Sequence, residues 1–264
     1  MNRMKEYTVI TGASSGIGYE AALAFAGRGE HLILAARRRE RLEELSNMIH
    51  REHPQLDIVV YAVDLSHIDA IYKFYRDLAG YRLKTWINNA GMGDYSLLHR
   101  QDPEKISQMI RLNVEAVTIL SALFVSQYCD VEGTQLINIS SAGGYMIVPN
   151  AITYCATKFY VSAFTEGVAR ELTGSGAKLR AKVLAPAATE TEFGRVACGT
   201  DHYDYDQMFG TYHTAAQMAR FLLSLYDSDS AVGAVNRETF DFHLSEPQFP
   251  YAGSGGGNDF DSDG

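Results

Sequence analysis

Cysteine is scarce in this chain and poorly placed for joint chemistry. The 264 residues hold three, Cys129, Cys155 and Cys198, an odd number with no C-x-x-C pair. That argues against a disulfide framework and against a structural zinc site built on thiolates. The eight histidines form no H-E-x-x-H run, so the helical metalloprotease pattern is missing too. Positive charge is short: 23 Lys and Arg face 32 Asp and Glu, a formal net charge of −9. A general basic surface for nucleic acid is thereby excluded. Long apolar runs are few. The most apolar helical stretch, "LNVEAVTILSALFVS", carries Glu115 and reads as too short to span a bilayer. The opening "MNRMKEYTVITG" lacks the apolar centre of a signal peptide. The expectation is a soluble, cytoplasmic protein with no membrane and no nucleic-acid partner.

What remains is ordinary globular material, 46% hydrophobic and 21% charged. Short β-rich runs alternate with longer helical ones. Strands are expected at Tyr7–Thr11, His31–Ala36, Ile58–Val63, Thr85–Asn88, Gln135–Ser140, Arg180–Ala185 and, on a weaker pattern, Val232–Asn236. Helices are expected near 17–28, 39–52, 68–79, 103–128, 154–173 and 213–227. Several strands are apolar throughout, as when helices cover both faces. This alternation implies right-handed βαβ units and a doubly wound parallel sheet, a three-layer α/β/α, Rossmann-like single domain over residues 1–250. The remaining 251–264 are rich in Gly and Asp and read as a disordered tail.

The stretch "TGASSGIG", Thr11 to Gly18, follows the first strand and opens the first helix. Ligands of doubly wound sheets bind at the carboxyl ends of the strands. Gly12 would allow a sharp turn, and Gly16 and Gly18 a close approach of backbone to a pyrophosphate at the helix N-terminus, beside Ser14, Ser15 and Ile17. The spacing is G-x-x-x-G-x-G, so the commoner G-x-G-x-x-G fingerprint does not strictly apply. After the second strand, where an NAD site carries an acidic residue, the chain reads "LILAARRRERLEEL". Cations in the first turn oppose the helix dipole, and a 2′-phosphate would offset that. The competing reading is a solvated charge run paired with Glu40, Glu43 and Glu44. NADP(H) is favoured over NAD(H), with Arg37 the first contact and Arg38 the second.

Tyr154 and Lys158 in "TYCATKFYVSAF" stand four apart, on one face of a helix. A fixed cation lowers a nearby phenol toward neutrality and makes it a usable proton donor and acceptor. The pair lies one loop after a strand ending in "INISS", which brings Ser140 and Ser141 to the edge that carries the glycine turn. Taken with these motifs, "DL" at Asp64-Leu65, "NNAG" at 88–91, Asn113 in "LNVEA", and Ser141 standing 13 residues before Tyr154, the chain resembles the short-chain dehydrogenase/reductase family over nearly all of 6–240.

The resemblance implies carbonyl–alcohol interconversion by direct hydride transfer. Tyr154 would be the general acid/base, Ser141 would polarise the substrate oxygen, and Lys158 would bond the nicotinamide ribose and depress the Tyr154 pKa. Asn113 would anchor a water leading from Lys158 to solvent. Ser140 takes the role of Ser141 if the spacing is off by one. Asp64 and Leu65 would contact adenine, with Asn89, Ala90 and Gly91 along its ribose and the diphosphate. Pro186 and Thr191 fit the family's pattern after the sixth strand, Thr189 would sit near the carboxamide, and Ala187 departs from the family's usual glycine. Met92, Asp94 and Tyr145 would contact the substrate, a small carbonyl or alcohol. The aromatic segment 188–213 would form a lid, either binding an apolar carbonyl or sealing onto the domain. Cys155 reads as a small buried helix residue. The helices 103–128 and 154–173 would join a homodimer or homotetramer. Two other readings stay open: a catalytically silent NADP-binding regulatory protein, and an epimerase using hydride transiently.

Overall fold

The computed structural model describes residues 5–252. The expected tail lies outside the described residues from 253 onward. β1 (Glu6–Thr11), α1 (Gly16–Ala26), β2 (His31–Ala36), α2 (Arg39–Glu52), β3 (Ile58–Ala62), α3 (Ile68–Asp77) and β4 (Arg82–Asn88) make the first half. The second half runs α4 (Pro103–Ile110), α5 (Val117–Tyr128), β5 (Gln135–Ile139), α6 (Ile152–Gly174) and β6 (Arg180–Ala185). Next come β7 (Thr189–Glu190), α7 (Glu192–Cys198), α8 (Tyr205–Phe209), β8 (His213–Thr214), α9 (Ala215–Asp227), β9 (Val232–Val235) and β10 (Phe242–Ser245).

Eight strands form one sheet in the order β10-β9-β6-β5-β4-β1-β2-β3, parallel except for the last hairpin, β9 with β10. The order reverses between β1 and β4, so a crevice opens at their carboxyl ends. All seven expected strands form. β10 was not foreseen because "FHLS" leaves His243 and Leu244 exposed at the sheet edge and carries little apolar pattern. One face of the sheet is covered by α1, α2 and α9 through Phe25, Leu42, Leu45 and Leu222, and the other by α3, α5 and α6 through Phe74, Leu120, Phe124 and Leu172. Burying each such side chain contributes roughly 1.5–3 kcal/mol.

The helix expected over 103–128 forms with a difference. α4 and α5 are joined by a π-helical turn, Arg111–Ala116, and Asn113 lies inside it. Because the turn does not break the rod, Pro103–Tyr128 is, among the described residues, long and apolar enough to cross a membrane; the expectation that it is too short is corrected on length. Its apolarity has another use here, since Met109, Ala116, Leu120 and Phe124 are buried within the domain.

Two polar clusters hold the interior in register. The Trp86 indole donates to Asn88 Oδ1 (2.8 Å), the Asn88 amide donates to Asn138 Oδ1 (2.9 Å), and the Asn138 amide donates to Thr165 Oγ1 (2.9 Å). Asn88 is thus a core residue linking β4 to β5. Lys182 is buried on β6, and its ammonium donates to the carbonyls of Leu225, Tyr226 and Ser228 at 2.6–2.9 Å, closing the end of α9. Lys182→Met leaves these carbonyls short of donors while relieving the ammonium of its burial. The expected net loss is about 2 kcal/mol, or roughly 4–8 °C in Tm, read by thermal unfolding. An unchanged Tm would show that water replaces the ammonium at no cost.

Candidate active site

β1 ends in a turn that tolerates no side chain at Gly12: its φ is +68°, and a Cβ there would stand 2.8 Å from the Ala90 Cα. Gly12 N–H donates to the Ala35 carbonyl (2.7 Å), tying the turn to β2. Gly16, at φ +57°, faces Thr191, 3.0 Å from where its Cβ would be. Gly18 differs from expectation. A Cβ there would collide with the Asn89 amide and the Gly12 carbonyl, so this glycine seats α1 on the turn rather than making room for a phosphate. Asn89 is its counterpart: the side chain donates to the Thr11 carbonyl (2.9 Å) and does not reach for a ribose, although the residue lines the cleft. Ser15 caps α1 without a side-chain cap hydrogen bond, which leaves the first N–H groups of the helix to an anion.

The cleft has a volume of about 590 Å³ and runs from Arg37, Arg38, Asp64 and Leu65, past Ser14, Ile17, Ala90 and Gly91, to Ser141, Tyr154, Lys158, Pro186, Thr189 and Thr191. Asp64 anchors its own loop, with Oδ1 accepting from the Ser66 backbone (2.9 Å) and hydroxyl (2.7 Å). Burial pushes its carboxyl up, but these bonds and Arg37 outweigh it and hold it below the usual carboxylate range. The arginines divide. Arg38 donates to the hydroxyls of Ser14 (3.2 Å) and Ser15 (2.8 Å) and pairs with Glu192 on α7 at 2.9 Å. Arg37 lies at the exposed rim beside Asp64. Open glycine turn, uncapped helix start and paired guanidinium groups together make a donor set that fits a dinucleotide phosphate.

At the other end, Ser141 heads a short 3-10 turn, Ala142–Gly144, and its hydroxyl accepts from Gly143 N–H (3.0 Å). Both serines border the cleft, but the Ser140 hydroxyl is engaged with α6, donating to the Lys158 carbonyl (2.9 Å), and the Ser141 hydroxyl is the one in contact with Tyr154. Tyr154 and Lys158 are nearly buried on α6, with the ammonium 5.8 Å from the phenol ring centre. The expected lowering of the phenol by Lys158 is not present in the chain alone. Burial pushes Tyr154 well above its ordinary value, only partly opposed by contact with the Ser141 hydroxyl. The Lys158 ammonium donates to the Ile139 carbonyl (2.8 Å), and burial lowers it to about 8.

Asn113 does not reach Lys158 with its side chain. Its Oδ1 accepts from Met92 N–H (3.0 Å), and its amide donates to the Met92 carbonyl (2.8 Å) and Thr157 Oγ1 (3.0 Å). Gly91 lies between the two groups; a Cβ there would stand 3.3 Å from Asn113 Oδ1 and 3.6 Å from Lys158 Nζ.

Two expected substrate contacts fail. Tyr145 does not line the cleft; its hydroxyl donates to Glu166 (2.6 Å). Asp94 is buried in an ion pair with Lys105 (2.9 Å). Met92 does line the cleft, and Cys155 is buried, its sulfur accepting from Val148 N–H. Ala187 shows no left-handed backbone, since among the described residues only Asn150 and Phe240 do so without being glycine. Its departure from glycine therefore strains nothing.

Sequence reasoning missed two groups, Tyr95 and Glu192, whereas Phe193 belongs to the aromatic segment expected to form the lid. Tyr95 and Phe193 bracket Tyr154, with ring centres 6.1 and 5.3 Å away, and Glu192 bridges α7 to Arg38. Only their place beside the glycine turn and the lid could have pointed to them. In the expected lid, Tyr205 donates to the Thr191 carbonyl (3.2 Å) and packs with Tyr203, Phe209 and Tyr212. These four rings pack on one another, Tyr203, Tyr205 and Phe209 also line the cleft, and Phe193 packs against the reactive phenol.

Residues 6–198 match the family model for short chain dehydrogenase. The chain is a short-chain dehydrogenase/reductase. An uncharacterized oxidoreductase of Staphylococcus saprophyticus is 31% identical over 207 residues, 76% of this chain and 79% of that protein. A short-chain dehydrogenase from Sphingobium yanoikuyae, solved in complex with NADPH, is 30% identical with a TM-score of 0.78, covering 87% of both chains. The bulky-bulky ketone specific alcohol dehydrogenase from Comamonas testosteroni is 26% identical with a TM-score of 0.75, covering 88% of this chain and 86% of its own. This short-chain dehydrogenase is therefore an oxidoreductase of the nicotinamide-dinucleotide class, acting on small molecules.

Proposed function

We propose that this short-chain dehydrogenase is an NADPH-dependent reductase of apolar ketones or aldehydes, reversible as an alcohol dehydrogenase. The observation that carries this is the convergence of Ser141, Tyr154 and Lys158 at one end of a cleft whose other end holds Arg37 and Arg38. NADPH, when bound, supplies the hydride. Arg37, Ser14, the N–H groups at the start of α1, and Lys158 would hold it. The Ser141 hydroxyl hydrogen-bonds the carbonyl oxygen and stabilises the charge that develops there. Tyr154 donates its phenolic proton to that oxygen, and its burial keeps the proton in place until it is needed. Lys158, once its ammonium faces the phenol, stabilises the phenolate left behind. Asn113 fixes the Met92 backbone and so the floor of the substrate end. Tyr95, Phe193 and Met92 make that end apolar, which suits a ring-bearing or bulky carbonyl, as the Comamonas enzyme's name also suggests. Self-association through α5 and α6, as a homodimer or homotetramer, belongs to the same reading; Tyr160 and Phe164 stack on the outer side of α6.

The test is NADPH consumption against a panel of ketones and aldehydes, read at the nicotinamide band. The unpaired thiols and titratable groups elsewhere do not enter. Lys158 is a cation below about 8 and loses its proton above, while Tyr154 stays protonated throughout. kcat/KM for reduction is therefore flat from pH 6 to 7 and falls as pH rises through about 8. Tight NADPH binding without turnover of any carbonyl would favour a silent, cofactor-binding role instead.

A further inference from the structure

α6 carries a polar stripe beyond the reactive pair. Tyr154, Lys158, Ser162, Glu166 and Arg170 recur every fourth residue, so each lies one turn beyond the last on a slowly rotating line. The first two face the cleft. Ser162 Oγ meets Ser140 Oγ at 2.7 Å. Glu166 is only 2% exposed, yet no cation pairs with it among the described residues. Instead its Oε1 accepts from the Tyr145 hydroxyl (2.6 Å), and its Oε2 accepts from the backbone N–H groups of Gln248 (2.6 Å) and Phe249 (2.8 Å). Arg170 then donates to the carbonyls of Pro247 (3.1 Å) and Phe249 (3.2 Å). A buried carboxylate is costly unless every donor around it is in place, so these contacts stand or fall together.

The segment leaving β10 is thus fastened to the helix that bears the reactive phenol, and its aromatic residue completes the clasp. The Phe249 ring stacks on Tyr145 with centres 5.3 Å apart and planes 15° from parallel. Tyr145 is held at its hydroxyl by Glu166 and on its face by Phe249. It is also the residue that ends the turn begun by Ser141. That turn is pressed so tightly on α6 that a Cβ at Gly144 would fall 2.6 Å from the Lys158 carbonyl. Its entry is pinned by Ala142 N–H donating to the Pro186 carbonyl (2.7 Å), and Tyr145 is the anchor at its exit.

We propose that residues 246–251 act as a strap that holds the Ser141 turn in register, with Glu166 as the positioning residue through which the strap acts. The path runs from Phe249 and Glu166 to Tyr145, and from Tyr145 through the turn to the Ser141 hydroxyl. The catalytic part of the proposal rests on the role given to Ser141 above.

The test uses the full chain with Phe249→Ala, which removes the stacking and leaves every buried polar group intact, and Tyr145→Phe as the second variant. Amide hydrogen exchange over 142–147 should quicken in both, while amides of β1 and β4 keep their native rates. With a carbonyl that the native enzyme reduces, kcat should fall about tenfold, because a misplaced hydrogen-bond donor acts on the transition state, and the NADPH Kd should stay within about twofold. Glu166→Gln should retain most of kcat: its amide oxygen can accept from both backbone N–H groups and its NH₂ can donate to Tyr145. Glu166→Leu should not. Native exchange over 142–147 in both variants would overturn the strap. Quickened exchange with native kcat would overturn the positioning role. If the native chain reduces no carbonyl, the proposed reductase reading fails, and the exchange rates still decide the strap.

Discussion

Tyr154→Phe is expected to reduce carbonyl turnover by about 10³-fold while the NADPH Kd stays within a factor of about two. The substitution deletes one oxygen from a phenol that is almost wholly buried and whose ring is fixed by Phe193 and Tyr95. Phenylalanine fills the same volume with the same ring, so neither the packing nor the cleft changes shape. What disappears is the phenolic proton held beside Ser141. The serine hydroxyl can still polarise the oxygen, which sets a residual rate above that of solution. Single-turnover measurement with saturating NADPH isolates the chemical step from release. Turnover within tenfold of native would remove Tyr154 as the acid. A parallel fall in cofactor affinity would point instead to a damaged cleft.

The sequence was most informative where one residue type has one physical use. Strands buried on both faces read as unbroken apolar runs, and the polar-to-apolar rhythm placed α2 over 39–52 to the residue. Gly12 was legible because a left-handed turn after a strand has few other occupants. Legibility ended where the third dimension decides. The π turn at Arg111–Ala116 has no signature distinct from helix, since the same residues would continue an α-helix equally well. Tyr145 follows Ser141 closely in sequence and Asp94 follows Gly91, but both turn away, drawn by Glu166 and Lys105 on other elements. Asn89 and Gly18 belonged to a motif, yet their contact with each other shows that part of it packs the turn rather than holding a ligand. Glu166 drew no notice in the sequence, because nothing local marks a carboxylate on a helix as buried.

The division between the two arginines yields the other large effect. Arg37→Ala should weaken NADPH by about 30-fold and NADH by less than about twofold, since a charge-assisted hydrogen bond to a phosphate is worth about 2 kcal/mol and NADH has no 2′-phosphate to lose it. Arg38→Ala should behave differently. Arg38 already binds both serines of the turn and Glu192, so its loss loosens the turn that receives the diphosphate common to both cofactors. NADPH and NADH should both weaken, by similar factors. Because Arg37 is exposed, solvent and salt screen its charge, and the gap between the two cofactors should narrow as ionic strength rises. Fluorescence titration of each variant with each cofactor, at low and high salt, separates the cases. Equal losses of NADPH and NADH in Arg37→Ala would take Arg37 off the phosphate. A selective NADPH loss in Arg38→Ala would show that the phosphate draws this guanidinium away from Glu192 on binding.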